Sequence, residues 1–235
     1  MDLKNAKALV TGGSSGIGYA TAQLLRDRGA AVAICGRKSD AVEQAASELG
    51  AVGIVADVSR EDDVTRMVAR VIAELGDYNV LVNNAGFGHW APLVDTEADD
   101  FRRVWETNVF GAMLVARESA RHFVSRNTGN IVNIASTAGL KGSAGGTSYV
   151  STKFALAGMT QCWRAELRKN NIRVIQVNPS EVQTNFFVTS GRIARATDPS
   201  KLQSDDIAQT ICGMLEIPDR GFVTEATVWA TNPKD

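Results

Sequence analysis

Short runs of β-branched and other apolar residues alternate along the chain with longer segments whose apolar positions recur every three or four residues. A 3.6-residue period buries one face of a helix, whereas a short continuous apolar run suits a strand covered on both sides. The runs predict strands at 7–13, 30–36, 52–58, 79–86, 130–136, 173–179 and 222–229. Helices are expected at 16–28, 39–49, 61–75, about 96–127, 149–169 and 204–216. Gly29, Gly50 and Gly76 stand where three of these should stop, and Thr96 is a candidate N-cap for the longest. Regular alternation without linker, repeat or low-complexity tract predicts an α/β chain forming one doubly wound Rossmann-type domain over 1–235. Its sheet should be seven-stranded and mostly parallel, with helices on both faces.

Composition narrows the partners. The 235 residues carry a formal charge of −1, with 22% charged residues of both signs interspersed, which disfavours nucleic acid and anionic membranes. No stretch approaches the roughly 20 apolar residues of a membrane span. The start, MDLKNAKALVTGG, lacks the apolar run of a secretory signal, so a cytoplasmic protein with a small-molecule ligand is expected. Cys35, Cys162 and Cys212 are scattered in apolar contexts and read as core residues in a reducing compartment. With only His89 and His122, far apart, no metal site is expected.

Candidate chemistry begins between the first strand and the first helix, at TGGSSGIG, residues 11–18. Gly12, Gly16 and Gly18 permit a tight turn and close backbone approach, and Ser14, Ser15 and Ile17 lie at the helix entrance. Free N–H groups and the dipole there suit a pyrophosphate, so a dinucleotide is the expected ligand. An NAD-preferring site places a carboxylate after the second strand, to bond the ribose hydroxyls. Here stand Gly36, Arg37 and Lys38. Glycine leaves room for a 2′-phosphate and a guanidinium can clasp it, which favours NADP(H) over NAD(H). Asp57, after the third strand, suits the adenine amino group or the capping of its own loop.

The stretch YVSTK puts Tyr149 and Lys153 on one helical face. Alone, that spacing describes an ordinary helical turn as well as a proton-transfer pair.

In order and spacing, TGGSSGIG at 11–18, Asp57-Val58, NNAG at 83–86, Asn108, Ser136, Tyr149 and Lys153 jointly resemble the compact short-chain dehydrogenase/reductase family. Ser136 precedes Tyr149 by 13 residues, a spacing typical of that family. The resemblance covers essentially the whole chain. It implies hydride transfer between a nicotinamide and a carbonyl, with Tyr149 supplying the proton and Ser136 holding the carbonyl oxygen. Lys153 is implied to favour the phenolate and to bond the nicotinamide ribose. Asn108 is implied to bend its helix and position a water linked to Lys153. Asn83, Ala85 and Gly86 match the segment that passes beside the adenine ribose and steadies the sheet, and Pro179, Val182 and Thr184 the segment beside the nicotinamide. Ser180 stands where the family more often has glycine; at positive φ a serine there would be strained.

Three loops should form the substrate side, with 185–200 as the main one. They contribute Phe87, His89, Trp90, Leu140, Phe186, Phe187 and Ile193, an apolar lining for a ketone or aldehyde of moderate size. Arg192 and Arg195 of the third loop suit an acidic or phosphorylated substrate arm, with a solvated face the favoured account. The leading expectation is an NADPH-dependent carbonyl reductase. A 3-oxoacyl thioester reductase, an NAD-linked alcohol dehydrogenase and a non-catalytic nucleotide sensor are the alternatives. Apolar residues on several sides of the Tyr149 helix, together with the long helix before it, suggest a homodimer or homotetramer.

Overall fold

A computed structural model describes residues 1–184, 186, 190 and 198–231. Seven strands form one parallel sheet: β1 (Lys7–Thr11), β2 (Ala31–Gly36), β3 (Val52–Val55), β4 (Val80–Asn83), β5 (Gly129–Ile134), β6 (Ile172–Pro179) and β7 (Glu225–Val228). Their order is β3-β2-β1-β4-β5-β6-β7, and each neighbouring pair is parallel. The helices are α1 (Gly16–Asp27), α2 (Ser39–Leu49), α3 (Glu61–Leu75), α4 (Ala98–Trp105), α5 (Ala112–Arg126), α6 (Thr147–Leu167) and α7 (Ser204–Glu216). No described helix is long and apolar enough to cross a membrane.

The strands are apolar at successive positions because both faces of the sheet are covered. Val10, Ile34, Val82, Val132 and Val177 pack towards α1, α2 and α7, whose Leu25, Leu49 and Ile211 share that cluster. Their neighbours Leu9, Cys35, Leu81 and Ile131 point the other way, towards Val68 of α3, Phe123 of α5 and Trp163 of α6. Leu9 is wholly buried. Truncating such a side chain to alanine costs about 2–5 kcal/mol.

The expected element order stands, with local differences. β1, β3, β4 and β5 end before their apolar runs do, at Thr11, Val55, Asn83 and Ile134, and β7 spans only Glu225–Val228. Residues just past the first four ends, Gly12, Ala56, Asn84 and Ala135 among them, line the cleft. Thr96 does not cap the long helix; its hydroxyl donates back to the Pro92 carbonyl at 2.9 Å, and Glu97 holds the N-cap position. That helix is interrupted by a π-helical turn, Glu106–Gly111, centred on Asn108. Cys35 and Cys212 are buried, but Cys162 is exposed, because it lies on the side of α6 turned from the sheet. Arg192, Ile193, Arg195 and Phe187 lie outside the described residues, as does most of 185–200.

Candidate active site

Parallel strands end on one edge of the sheet, and the crevice opens where the order reverses, between β1 and β4. A cleft of about 750 Å³ lies there. Gly12, Ser14, Ser15, Gly16 and Ile17 line one end, with Arg37, Lys38, Asp57 and Val58. Ala85, Gly86 and Phe87 line its middle, and Ser136, Tyr149, Lys153, Pro179, Val182, Thr184, Trp90 and Phe186 the other end.

The glycine turn is built for close approach. Gly12 has φ +64, in the left-handed region, and a Cβ on Gly18 would fall inside contact distance of the Gly12 carbonyl. Gly18 therefore packs beneath the turn and is not on the cleft wall. Ser15, the N-cap residue of α1, makes no side-chain cap bond, so N–H groups of the first turn remain for a ligand. Thr11 fastens the turn to the β4 exit: its hydroxyl accepts the N–H groups of Asn84 and Ala85 at 2.9 and 3.0 Å. Asn84 completes the clasp by donating to the Thr11 carbonyl at 2.9 Å, and it lines the cleft. Neither residue is singled out by the sequence reading; their position directly flanking the two motif turns is the signal that could have found them.

Asn83 keeps the sheet-steadying part of its expected role and not the cofactor-binding part. It is buried and off the cleft wall, donating to the Ala112 carbonyl at 2.9 Å and to Asn133 at 3.3 Å. It steadies β4 against β5 and α5, because its side chain points into the sheet and that of Asn84 points out. Asp57 caps its own loop: one carboxylate oxygen accepts from the Ser59 N–H at 3.0 Å and the Ser59 hydroxyl at 2.7 Å. Arg37 and Lys38 are exposed on the rim, and their side chains make no ion pair or hydrogen bond with any described residue.

At the far end, Ser136 follows β5 in extended backbone and its hydroxyl accepts the Ala138 N–H at 3.1 Å. Tyr149 stands in the first turn of α6 and Lys153 one turn on. The Lys153 ammonium lies 5.5 Å from the centroid of the Tyr149 ring and donates to the Ile134 carbonyl at 2.9 Å. Burial holds the Lys153 amine down at about 8. Burial also pushes the Tyr149 phenol up to about 12, against a hydrogen bond with Ser136 that lowers it. Desolvation thus outweighs the expected stabilisation of phenolate, and the phenol keeps its proton at neutral pH.

Asn108 reaches the site indirectly. Its amide donates to the Phe87 carbonyl at 2.8 Å and accepts the Phe87 N–H at 3.0 Å, closing a two-way clamp on the loop. The same amide nitrogen donates to Thr152 at 3.2 Å, and Thr152 donates to the Tyr149 carbonyl at 2.6 Å. The side chain is fully committed, and the widened π turn brings it there. Ser180 is not at positive φ and so is unstrained; its N–H donates to the Val228 carbonyl at 2.9 Å. A serine serves as well as glycine there because the residue simply extends the β6–β7 ladder.

Two expected substrate residues are absent from the wall. Leu140 is 49% exposed and off the cleft. His89 turns away to Asp100, 3.3 Å from its Nε2, because Trp90 takes the inward position of that loop.

Residues 6–192 match the family model described as short chain dehydrogenase. The chain belongs to the short-chain dehydrogenase family. It is similar to the 3-oxoacyl-(acyl-carrier-protein) reductase of Bos taurus, 34% identical over 214 residues covering 89% of this chain and 90% of the relative. Among solved structures it resembles a 3-ketoacyl-(acyl-carrier-protein) reductase from Brucella melitensis complexed with NADH, with TM-score 0.89, 28% identity and coverage of 97% and 98%. It also resembles an alcohol dehydrogenase from Thermococcus sibiricus complexed with 5-hydroxy-NADP, with TM-score 0.87, 26% identity and the same coverage. This member of the family is an oxidoreductase acting on CH–OH and C=O groups.

Proposed function

We propose that this short-chain dehydrogenase reduces a ketone or aldehyde to an alcohol with NADPH. The observation that carries the reading is the buried Tyr149 phenol in one cleft with Ser136, with the Lys153 ammonium 5.5 Å from its ring centroid. A phenol placed there can give its proton to a carbonyl oxygen.

The residues fit a nicotinamide dinucleotide. The turn of Gly12–Gly16 and the uncapped start of α1 suit the pyrophosphate, and Asp57 has a second carboxylate oxygen for the adenine amino group. Val58, Ala85 and Gly86 would hold the adenosine, and Pro179, Val182 and Thr184, at the other end of the cleft, the carboxamide. Arg37, exposed and without a partner among the described residues, suits a 2′-phosphate, with Lys38 beside it. When bound, the cofactor supplies the hydride to the carbonyl carbon.

This chain's residues handle the proton. Ser136 donates to the carbonyl oxygen and orients it, and Tyr149 gives that oxygen its proton as negative charge develops. Lys153 then returns a proton to Tyr149. Asn108, its amide spent on Phe87 and Thr152, holds the Phe87 loop against α6 beside this pair.

Following NADPH loss across a panel of ketones, aldehydes, sugars, steroids and acyl thioesters tests the reading, and no turnover with any of them would refute it. Preference for the 3-oxoacyl thioester would instead favour the activity named for the Bos taurus relative. For assembly, an apolar groove lined by Phe101, Trp105, Val109, Phe110, Met113 and Met159 supports a homodimer through α4, α5 and α6. A monomeric mass in light scattering would count against it.

A further inference from the structure

The described wall at the carbonyl end of the cleft is aromatic. Trp90 and Phe186 pack against the Tyr149 ring at 5.0 and 5.5 Å between centroids, and meet each other edge-on at 6.0 Å. Phe87 and Val150 continue this wall. The charged residues lining the cleft are Arg37, Lys38 and Asp57 at the opposite end, Lys153 against Tyr149, and Glu181 after β6. Among the described residues no second cation lines the cleft beside Tyr149.

The indole reaches Tyr149 because residue 88 is glycine. Gly88 is buried and its φ lies outside the left-handed region, so its backbone would suit any residue. Space is what it supplies: a Cβ there would fall inside contact distance of Cζ3 and Cη2 of Trp90. Its N–H also donates to the Ser190 hydroxyl at 3.1 Å, and the Ser190 N–H donates to the Phe186 carbonyl at 3.0 Å. Gly88 therefore seats the indole and ties together the two segments that carry the rings.

Building on the carbonyl-reductase reading, we propose that Trp90 and Phe186 select a carbonyl compound whose C=O is conjugated to a flat ring, an aryl ketone or aldehyde. Gly88 is the positioning residue that admits the indole. An aryl face packs offset or edge-on against indole and phenyl rings, which a saturated ring of equal size does less well. Conjugation also keeps the carbonyl coplanar with its ring. Seating the ring therefore fixes the plane in which the oxygen meets Ser136 and Tyr149.

The test compares kcat/KM for acetophenone and for cyclohexyl methyl ketone in the wild-type protein, Gly88→Ala, Trp90→Leu and the double variant, all with NADPH. Intrinsic reactivity of the two ketones cancels in the change of their ratio between variants. The aryl-to-saturated ratio should fall about three- to tenfold in each single variant, the factor a ring-on-ring contact supplies, and chiefly through KM. In the Trp90→Leu background Gly88→Ala should add nothing, because the side chain it displaces is gone; a further fall would overturn the role given to Gly88. Trp90→Leu carries the test should Gly88→Ala fail to fold. A second arm titrates both ketones calorimetrically into Tyr149→Phe saturated with NADPH. Turnover with an unchanged ratio refutes the aromatic wall and leaves the reductase reading intact. Aryl-selective binding without turnover in the wild-type protein refutes the reductase reading and leaves the wall. Neither binding nor turnover of acetophenone overturns the proposal.

Discussion

The two ends of the cleft are made in different ways. At the glycine turn, the groups facing a ligand are backbone N–H groups, held by a left-handed Gly12 and by Thr11, with Arg37 and Lys38 exposed at the rim. At the carbonyl end the working groups are side chains from β5, the π turn, α6 and two loops, buried together so that both titrating groups are displaced from their ordinary pKa values. A backbone cradle tolerates most neighbouring side-chain changes as long as its glycines stay. A buried side-chain cluster does not, because every member is desolvated and depends on the others.

That contrast can be broken most sharply at Tyr149. Tyr149→Phe should lower kcat about 1,000-fold or more, in the upper range of general acid catalysis, while NADPH binding measured by fluorescence titration stays within about twofold. Substantial residual turnover would mean the buried end is not where the proton is transferred.

The next effect in size is electrostatic. Because burial lowers the Lys153 pKa from 10.5 to about 8, the folded protein binds fewer protons than the unfolded chain between those values, so stability rises with pH across that window. The penalty is fully present below about pH 8, and Lys153→Met should abolish the rise, on the order of 3 kcal/mol. Tyr149 works in the opposite sense at higher pH: its raised pKa stabilises the folded state below about 10, and this is lost towards about 12. Chemical denaturation of wild type and Lys153→Met from pH 7 to 10 separates the two. A flat difference would show that the amine is not desolvated.

Asn108→Ala tests whether the side-chain end depends on its hidden support. Two partly buried backbone groups of Phe87 lose their partner, which should cost about 2 kcal/mol of stability and lower kcat more than it weakens NADPH binding. Equal losses in both would mean the clamp serves the cleft as a whole. Smallest is Arg37→Ala, expected to weaken NADPH about tenfold through one lost charge-assisted contact while leaving NADH almost unaffected. Equal weakening of the two cofactors would refute the phosphate clasp and make this end a plain backbone cradle.

Much of this was legible in the chain. The parallel sheet follows from seven apolar runs whose successive residues, such as Leu9 and Val10, serve opposite faces. The glycine turn is legible because its chemistry is local: the residues that shape it adjoin the groups that use it. Legibility fails where the deciding contact is distant in sequence. Asn83 and Asn84 are indistinguishable as letters, yet the pleat of β4 sends one into the sheet and the other to the cleft. His89 and Trp90 compete for one inward position, and only the space above Gly88 decides for the indole. A helical period of 96–127 cannot reveal the π turn, since one widened turn shifts the apolar stripe too little to be noticed.

The sequence by itself determined the element order, the doubly wound sheet, the phosphate turn and the set of residues able to move a proton. Those depend on periodicity and on neighbours within a few residues. Tertiary structure alone decided which members of that set meet, how far burial displaces Tyr149 and Lys153, and which ring covers the phenol. Burial and contact between elements far apart in the chain are properties of packing, and no local pattern encodes them.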